Sequence, residues 1–214
     1  MSYDVWLIPA ESCESADAAR EFAIGQDESR STPTAVAERL AADISAANAP
    51  LDEESGFLSL FPLEASGAAV FVPSPFPRIQ VARDVVVPQA FSAGYGVYDP
   101  QLHVVLDPRT AVAGTTMTST EGTFPTITPG LIEFFVRAMQ SDDFVIIETG
   151  AEQYMQTKRV DADEFLLEYR AGSAECHFGT TVATAADVAE AMRGWIAGND
   201  AAYQRHSWER IDLG

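Results

Sequence analysis

The spacing of hydrophobic and polar residues predicts alternating strands and helices in the first half of the chain. Val36, Leu40 and Ile44 recur every four residues and predict a helix that begins near Pro33. Gly25 is expected to end an earlier helix, and Pro88 falls inside a later one. The predicted elements follow the order β-α-α-β-β-α-β at residues 3–9, 14–24, 33–48, 57–63, 68–72, 79–93 and 97–106.

The second half has a more regular pattern. Apolar residues share one helical face over residues 129–140, and Thr184 is expected to cap a second helix that Gly198 closes. Four short β-rich runs separated by turn residues lie between these helices, at residues 144–149, 153–156, 165–170 and 176–181. The pattern predicts an α-β-β-β-β-α domain, a four-stranded meander with two helices and a C-terminal tail.

The segment between the two halves is rich in Thr, Gly, Ser and Pro and has weak periodicity. We therefore expect a linker at residues 110–127, between an N-terminal domain at 1–109 and a C-terminal domain at 128–214. The predicted fold class is α+β, in which each small domain has a mostly antiparallel sheet with helices packed on one face.

Charge narrows the classes of partner. The chain has 32 Asp and Glu against 13 Lys and Arg, a net charge of -19; 17 acids and 6 bases precede residue 125, and 15 acids and 7 bases follow it. With 47% hydrophobic residues the chain has enough apolar surface for a core. Such a negative protein repels phosphate backbones and anionic membranes, so we expect neither nucleic-acid nor membrane binding. The absence of a signal-peptide pattern predicts a cytoplasmic protein, with a basic protein as the expected partner.

No sequence motif indicates catalysis, a cofactor or a metal. Phosphate-loop and Gly-x-Ser-x-Gly motifs are absent. Cys176 and His177 are adjacent in a predicted strand, so their side chains are expected on opposite faces, with the cysteine buried. His103 and His206 are isolated in sequence. The acidic runs at residues 52–54 and 161–164 lack the spacing of a calcium loop and are expected to be solvated. Carboxylate pairs that form only in space leave an enzyme of unrecognised type as an alternative.

The aromatic residues near the C-terminus admit two interpretations. Trp208 either folds back over one end of the sheet or is a partly exposed anchor at a protein interface. On the second interpretation, the candidate partner-binding residues are Trp208, Tyr203 and the acids of a predicted turn, Asp161, Asp163 and Glu164.

Residues 128–213 also resemble a known family. The resemblance lies in the order and spacing of short segments at 144–148, 154–157, 167–173 and 177–178, followed by the helix at 188–198 and by Trp208. This pattern is similar to the first-numbered family of predicted immunity proteins of bacterial polymorphic toxins. The resemblance implies an α+β fold and a non-catalytic protein that binds a cognate toxin and blocks it. The first half resembles uncharacterised bacterial domains, through residues 3–6 and 97–101.

Three functions follow as expectations. The first is an immunity or inhibitor protein that neutralises a bacterial toxin by binding it. The second is a protein-interaction module with no toxin partner, and the third is an enzyme of unrecognised type. The oligomeric state is left open.

Overall fold

The computed structural model describes residues 2–29, 31–52 and 54–212. The fold is α+β, with helices and two sheets in which all paired strands run antiparallel. Contacts within the chain group the residues into two compact units, which meet in sequence between Ala111 and Val112.

The first unit has a five-stranded sheet with β1 at its centre, in the order β2-β3-β1-β4-β5. Its strands are Ser2–Pro9 (β1), Ala65–Ser66 (β2), Ala69–Pro75 (β3), Tyr95–Asp99 (β4) and Val104–Leu106 (β5). Its α-helices are Ala16–Ser29 (α1), Ala35–Asn48 (α2) and Ile79–Ser92 (α3). Thr34 caps α2, since its side chain accepts from the Ala37 N–H.

Helices lie on both faces of this first sheet. Ile8 of β1 belongs to a core cluster with Ala19 and Ala23 of α1. The alternate β1 residues Tyr3 and Val5 line a small internal cavity together with α3 residues. Successive residues of a strand point to opposite faces, so α1 and α3 cover opposite sides. This corrects the prediction of helices on one face for the first unit, because β1 is apolar on both of its faces.

Two local predictions in this unit are also corrected. The first helix continues through Gly25 to Ser29. Residues 57–63, predicted as a strand, form a loop whose backbone bonds to side chains of α2. Asn48 Oδ1 accepts from the N–H groups of Phe57 and Leu58, and Ser45 Oγ accepts from Leu63. These side chains bond three amides of the loop, and the Ser59 N–H donates to the Pro73 carbonyl of β3, a single bond that does not make a strand.

The second unit has a seven-stranded sheet in the order β12-β11-β10-β9-β8-β6-β7. Its strands are Thr116–Ser119 (β6), Gly122–Phe124 (β7), Phe144–Gly150 (β8), Gln153–Asp161 (β9), Glu164–Ala171 (β10), His177–Val182 (β11) and Glu209–Arg210 (β12). Its α-helices are Pro129–Ala138 (α4), Ala185–Ile196 (α5) and Asp200–Gln204 (α6). The predicted meander of four strands corresponds to β8–β11 and is confirmed.

The segment 110–127 is not a linker. It supplies β6 and β7, and β6 pairs with β8. Met117 and Phe124 are almost fully buried. The threonines that made this segment polar are suited to strands, so its composition concealed two strands at the edge of the sheet.

One face of the second sheet is covered by helices. Ile147, Met155 and Leu167 have no exposed surface, and they alternate with accessible residues along β8, β9 and β10. The helices bury their own apolar stripes, which include Leu131 of α4 and Val188 of α5. Within the described ranges, no helix of either unit is long and apolar enough to cross a membrane.

Candidate functional site

One face of the second sheet is formed by the side chains that alternate with the buried Ile147, Met155 and Leu167. We call it the open face. Apart from His177, all of its residues are half-buried or exposed. The open face comprises Thr116, Thr118, Phe144, Ile146, Glu148, Tyr154, Gln156, Lys158, Leu166, Glu168, Arg170, His177, Gly179, Thr181, Glu209 and Ile211. Antiparallel pairing aligns these residues in rows across the strands.

Glu168 lies at the centre of the open face and is held by two neighbours. Gln156 Nε2 donates to Glu168 Oε2 at 2.8 Å, and His177 Nε2 lies 3.2 Å from the same oxygen. His177 is 3% exposed, and the Tyr154 ring lies edge-on to it with centroids 5.9 Å apart. These contacts fix the orientation of the Glu168 carboxylate.

Two depressions lie next to each other on this face and share Leu166 and Glu168. The first, of about 460 Å³, we call the Gly179 notch; it is lined by Leu166, Glu168, Gly179, Thr180, Thr181, Ser207, Glu209, Arg210 and Ile211. The second, of about 350 Å³, we call the Phe144 depression; it is lined by Asp142, Phe144, Ile146, Gln156, Thr157, Lys158, Leu166 and Glu168. Leu166 is the apolar divider between them.

The open face exposes hydrophobic side chains beside its polar groups. Phe144 is 37% exposed and Leu166 39%, while Ile146 between them is half-buried. Apolar side chains of this size on one surface, surrounded by polar groups, are typical of a protein-binding site.

The charges of the open face are unevenly paired. Its two cations already have partners: Lys158 Nζ lies 2.8 Å from Asp142 Oδ1, and an Arg170 guanidinium nitrogen lies 2.7 Å from Glu152 Oε2. Lys158 also lowers the pKa of Asp142 through their hydrogen bond. Three carboxylates of the face form no ion pair with any lysine or arginine that the structure describes: Glu148, Glu168 and Glu209. The face therefore has an excess of acceptors for positive charge.

Trp208 and Tyr203 lie elsewhere, at the end of the helix-covered side of the sheet. Trp208 Nε1 donates to the Tyr203 carbonyl at 2.9 Å, and both rings pack edge-on against Tyr169, with centroids 4.7 and 5.6 Å away. Both are half-buried. Arg205 bonds to Asp187 and Glu190 and so ties α6 to α5. Trp208 thus folds back over one end of the sheet.

The acidic candidates Asp161, Asp163 and Glu164 come together at a different place. They are exposed at the hairpin that joins β9 to β10. Arg159 closes this turn by donating to the carbonyls of Met139, Asp161 and Ala162. Five residues of strand, roughly 17 Å, separate this hairpin from Tyr169 and the aromatic group. The structure therefore does not bring the five predicted residues into one site.

The cysteine and histidine candidates form no metal centre among the residues that the structure covers. Cys176 lies in a short 3-10 turn and is exposed, which corrects the expectation of a buried thiol. Cys13 is buried, and this burial raises the pKa of the Cys13 thiol to about 12. His103 contacts exposed Asp17 at 3.3 Å. His206 lies edge-on to Trp208, and burial lowers its pKa. Glu53 of the acidic run at 52–54 lies outside the described residues.

In the first unit, the polar side chains of Tyr3, Arg83 and Asp99 are buried together. The Tyr3 hydroxyl donates to Asp99 Oδ2 and accepts from an Arg83 guanidinium nitrogen at 2.9 Å. Asp99 Oδ1 accepts from the N–H groups of Gln101 and Leu102, each at 3.0 Å. All three side chains are less than a tenth exposed. The adjacent cavity of about 20 Å³ has room for about one water molecule, so the three side chains bond to one another and the cavity is too small for a larger ligand.

Comparison of the chain with protein-family models, with curated proteins and with solved structures found no match. The resemblance of residues 128–213 to immunity proteins therefore stays a prediction. Geometry and charge are the basis on which a function is assigned.

The open face was missed because its apolar residues lie in runs that indicate a buried strand. In β8, residues 144–147 are all hydrophobic, a pattern typical of strands covered on both sides. Leu166 breaks the polar alternation of β10 in the same way. Only the pairing of β8, β9 and β10 shows that Phe144, Ile146 and Leu166 share a face with Glu168.

Proposed function

We propose that this chain is a non-catalytic, inhibitor-like protein that binds a basic bacterial toxin domain through the open face of its second sheet. The proposal depends mainly on the charges of this face: its two cations are already paired, while Glu148, Glu168 and Glu209 have no ion pair with any described lysine or arginine. A partner that supplies positive charge completes these pairs.

The hydrophobic residues of the face support protein binding. Phe144 and Leu166 are each more than a third exposed and border the two depressions. Apolar side chains at the centre of an interface supply much of the binding free energy, while a polar rim sets orientation. The row of Gln156, Glu168 and His177 supplies fixed polar groups beside them.

The charge of the whole chain supports a basic partner. A net charge of -19 accelerates association with a positively charged protein through long-range attraction. Enzymes that act on nucleic acids have basic clefts, and an acidic protein that occupies such a cleft blocks it without any chemistry of its own.

The test is co-expression with the product of the neighbouring gene. We expect that product to be toxic when expressed alone, to be neutralised by this chain, and to co-purify with it. Leu166→Asp and Phe144→Asp should abolish both the rescue and the co-purification, because each removes an apolar contact and buries a carboxylate against the apolar part of the interface. A neighbour that is neither toxic nor bound contradicts the proposal.

The matched control is Val36→Asp. Val36 is an apolar side chain of α2 that is 48% exposed and belongs to the first unit. Val36→Asp introduces the same charge at a site that is more accessible than Leu166 or Phe144, so it should leave rescue intact. Equal loss with all three variants would show a general effect of added charge. A homodimer that buries Leu166, with no binding to the neighbour, would favour an interaction module instead.

A further inference from the structure

The Gly179 notch has apolar side chains on two sides. A Cβ atom at Gly179 would lie 2.8 Å from Ile211 Cδ1, so Ile211 takes part of the space that a side chain at this position would need and forms one apolar wall. Leu166 borders the notch on the neighbouring strand and is 39% exposed. An aliphatic stem entering here would lie between these two side chains.

The Glu168 carboxylate at the notch is preorganised to accept a further hydrogen bond. Gln156 and His177 both contact Oε2, which fixes the carboxylate plane. Oε1 accepts no hydrogen bond from the part of the chain that the structure describes, and the side chain keeps 27% of its surface accessible. The free oxygen is therefore available to a donor from outside.

The other polar groups of the notch are also mainly acceptors. Glu209 pairs with Gly179 in the sheet, so its side chain lies on the open face. Thr181 and Ser207 add hydroxyl oxygens. Arg210 borders the notch as well, but it pairs with Phe178, which places its side chain on the helix-covered side.

We propose that the Gly179 notch receives an arginine side chain of the protein partner, with its stem between Leu166 and Ile211 and its guanidinium on Glu168 and Glu209. This inference rests on the proposed function and names the partner's chemistry at that site. Arginine fits because its three methylene groups pack on apolar walls while its planar head donates to two carboxylates at once. Lysine has a compact ammonium that cannot form two parallel bonds to a carboxylate.

The test uses the full-length ¹⁵N-labelled chain and three blocked tripeptides, Leu-X-Leu, in which X is arginine, citrulline or lysine. Citrulline keeps the shape of arginine and lacks its charge. Titration followed by NMR should give amide shifts confined to Gly179, Thr181 and their neighbours with the arginine peptide. The lysine peptide should bind more weakly, and the citrulline peptide should give no saturable shifts.

Two matched variants locate the contact. Glu168→Gln should weaken binding of the arginine peptide about tenfold, the change expected when one charge-assisted hydrogen bond is lost. Glu21→Gln removes an exposed carboxylate of α1, outside the open face, and should leave the affinity unchanged. The amide spectrum of each variant shows whether it is folded. Three results would overturn the inference. The citrulline peptide could bind as tightly as the arginine peptide, both variants could weaken binding equally, or the amide shifts could lie outside the notch.

The failure of this inference is distinguishable from that of the proposed function. If Leu166→Asp abolishes binding of the toxic partner while Glu168→Gln retains it fully, the notch does not receive a guanidinium, but the open face still binds the partner. If the arginine peptide binds at Gly179 while the neighbouring gene product is neither toxic nor bound, the chemistry of the notch stands and the toxin proposal fails.

Discussion

Asp99 shows at the residue scale how burial and hydrogen bonding oppose each other on one carboxyl group. Only 3% of Asp99 is exposed, and this burial raises its pKa. The hydrogen bonds from Tyr3 and from the backbone of Leu102 and Gln101 act in the opposite direction but do not cancel the effect. The carboxyl group therefore binds a proton more strongly in the folded protein than in the unfolded chain.

Asp99→Asn tests this shift through the pH dependence of stability. Because the folded pKa is raised, the folded state binds more protons, so the Asp99 contribution to the free energy of unfolding falls as pH rises from the unfolded pKa through the folded pKa. The asparagine side chain does not titrate, so the variant has no such loss of stability as pH rises. Urea denaturation from pH 4 to 7 should show the wild type losing stability relative to the variant as pH rises. A constant difference across this range contradicts the expected shift.

Alanine substitutions at two glycines of the first unit should change the free energy of unfolding in opposite directions. A Cβ at Gly25 in α1 would contact nothing within 4 Å, so Gly25→Ala should raise the free energy of unfolding by roughly 0.5–1 kcal/mol through helix propensity. A Cβ at Gly96 would overlap Cys13 Sγ and lie 2.8 Å from the Leu106 carbonyl oxygen. Gly96→Ala should therefore lower the free energy of unfolding by about 1–3 kcal/mol. Urea denaturation measures both, and effects of the same sign would contradict this packing.

At the scale of the elements, prediction from sequence works where local signals agree. Pro129–Ala138 and Ala185–Ile196 form as predicted because Thr128 and Thr184 cap them and each has a clear apolar stripe. Pro88 has no N–H to donate to the Asp84 carbonyl. Both residues are exposed, so α3 tolerates this loss.

Prediction fails where the deciding contacts are distant in sequence. The loop at 57–63 is held by Asn48 and Ser45, and β6 gains its strand partner from β8. The open face depends on the same long-range pairing, because only the register places Leu166 beside Glu168 and Gly179. Of the two interpretations of Trp208, its contact with Tyr169 agrees with the one in which the ring folds back over one end of the sheet.

The cap of α5 gives a prediction for one element. Thr184 Oγ1 accepts from the Asp187 N–H at 3.1 Å. Thr184→Ala leaves this amide without its protein partner and should lower the free energy of unfolding by about 1 kcal/mol. Thr184→Ser keeps the oxygen and should remain close to wild type in urea denaturation. Equal destabilisation by both variants would show that the methyl group, and not the cap, contributes.

For the whole molecule, the acidic charge is distributed over folded surface. Both sequence halves have a large excess of acids, and many of these acids lie exposed at turns and on strands, as Asp161 and Asp163 do. Such a charge keeps the protein soluble, and it also destabilises the compact state through self-repulsion.

Added salt should therefore stabilise the chain. Raising NaCl from 0.01 to 0.15 M shortens the screening length from about 30 to about 8 Å, so the thermal unfolding midpoint should rise. The triple variant Asp161→Asn, Asp163→Asn, Glu164→Gln has three fewer carboxylates and should respond less. Differential scanning calorimetry at both salt concentrations measures this. A midpoint that falls with salt would show that attractive ion pairs outweigh the repulsion.

The central position of β1 has a consequence for biosynthesis. β1 has β3 on one edge and β4 on the other, and both neighbours follow it by many tens of residues. At roughly 5–20 residues per second, a ribosome takes several seconds to reach them. During that interval, the apolar segment containing Trp6, Leu7 and Ile8 has neither of its sheet neighbours, so we expect chaperones that recognise short extended hydrophobic peptides to bind it.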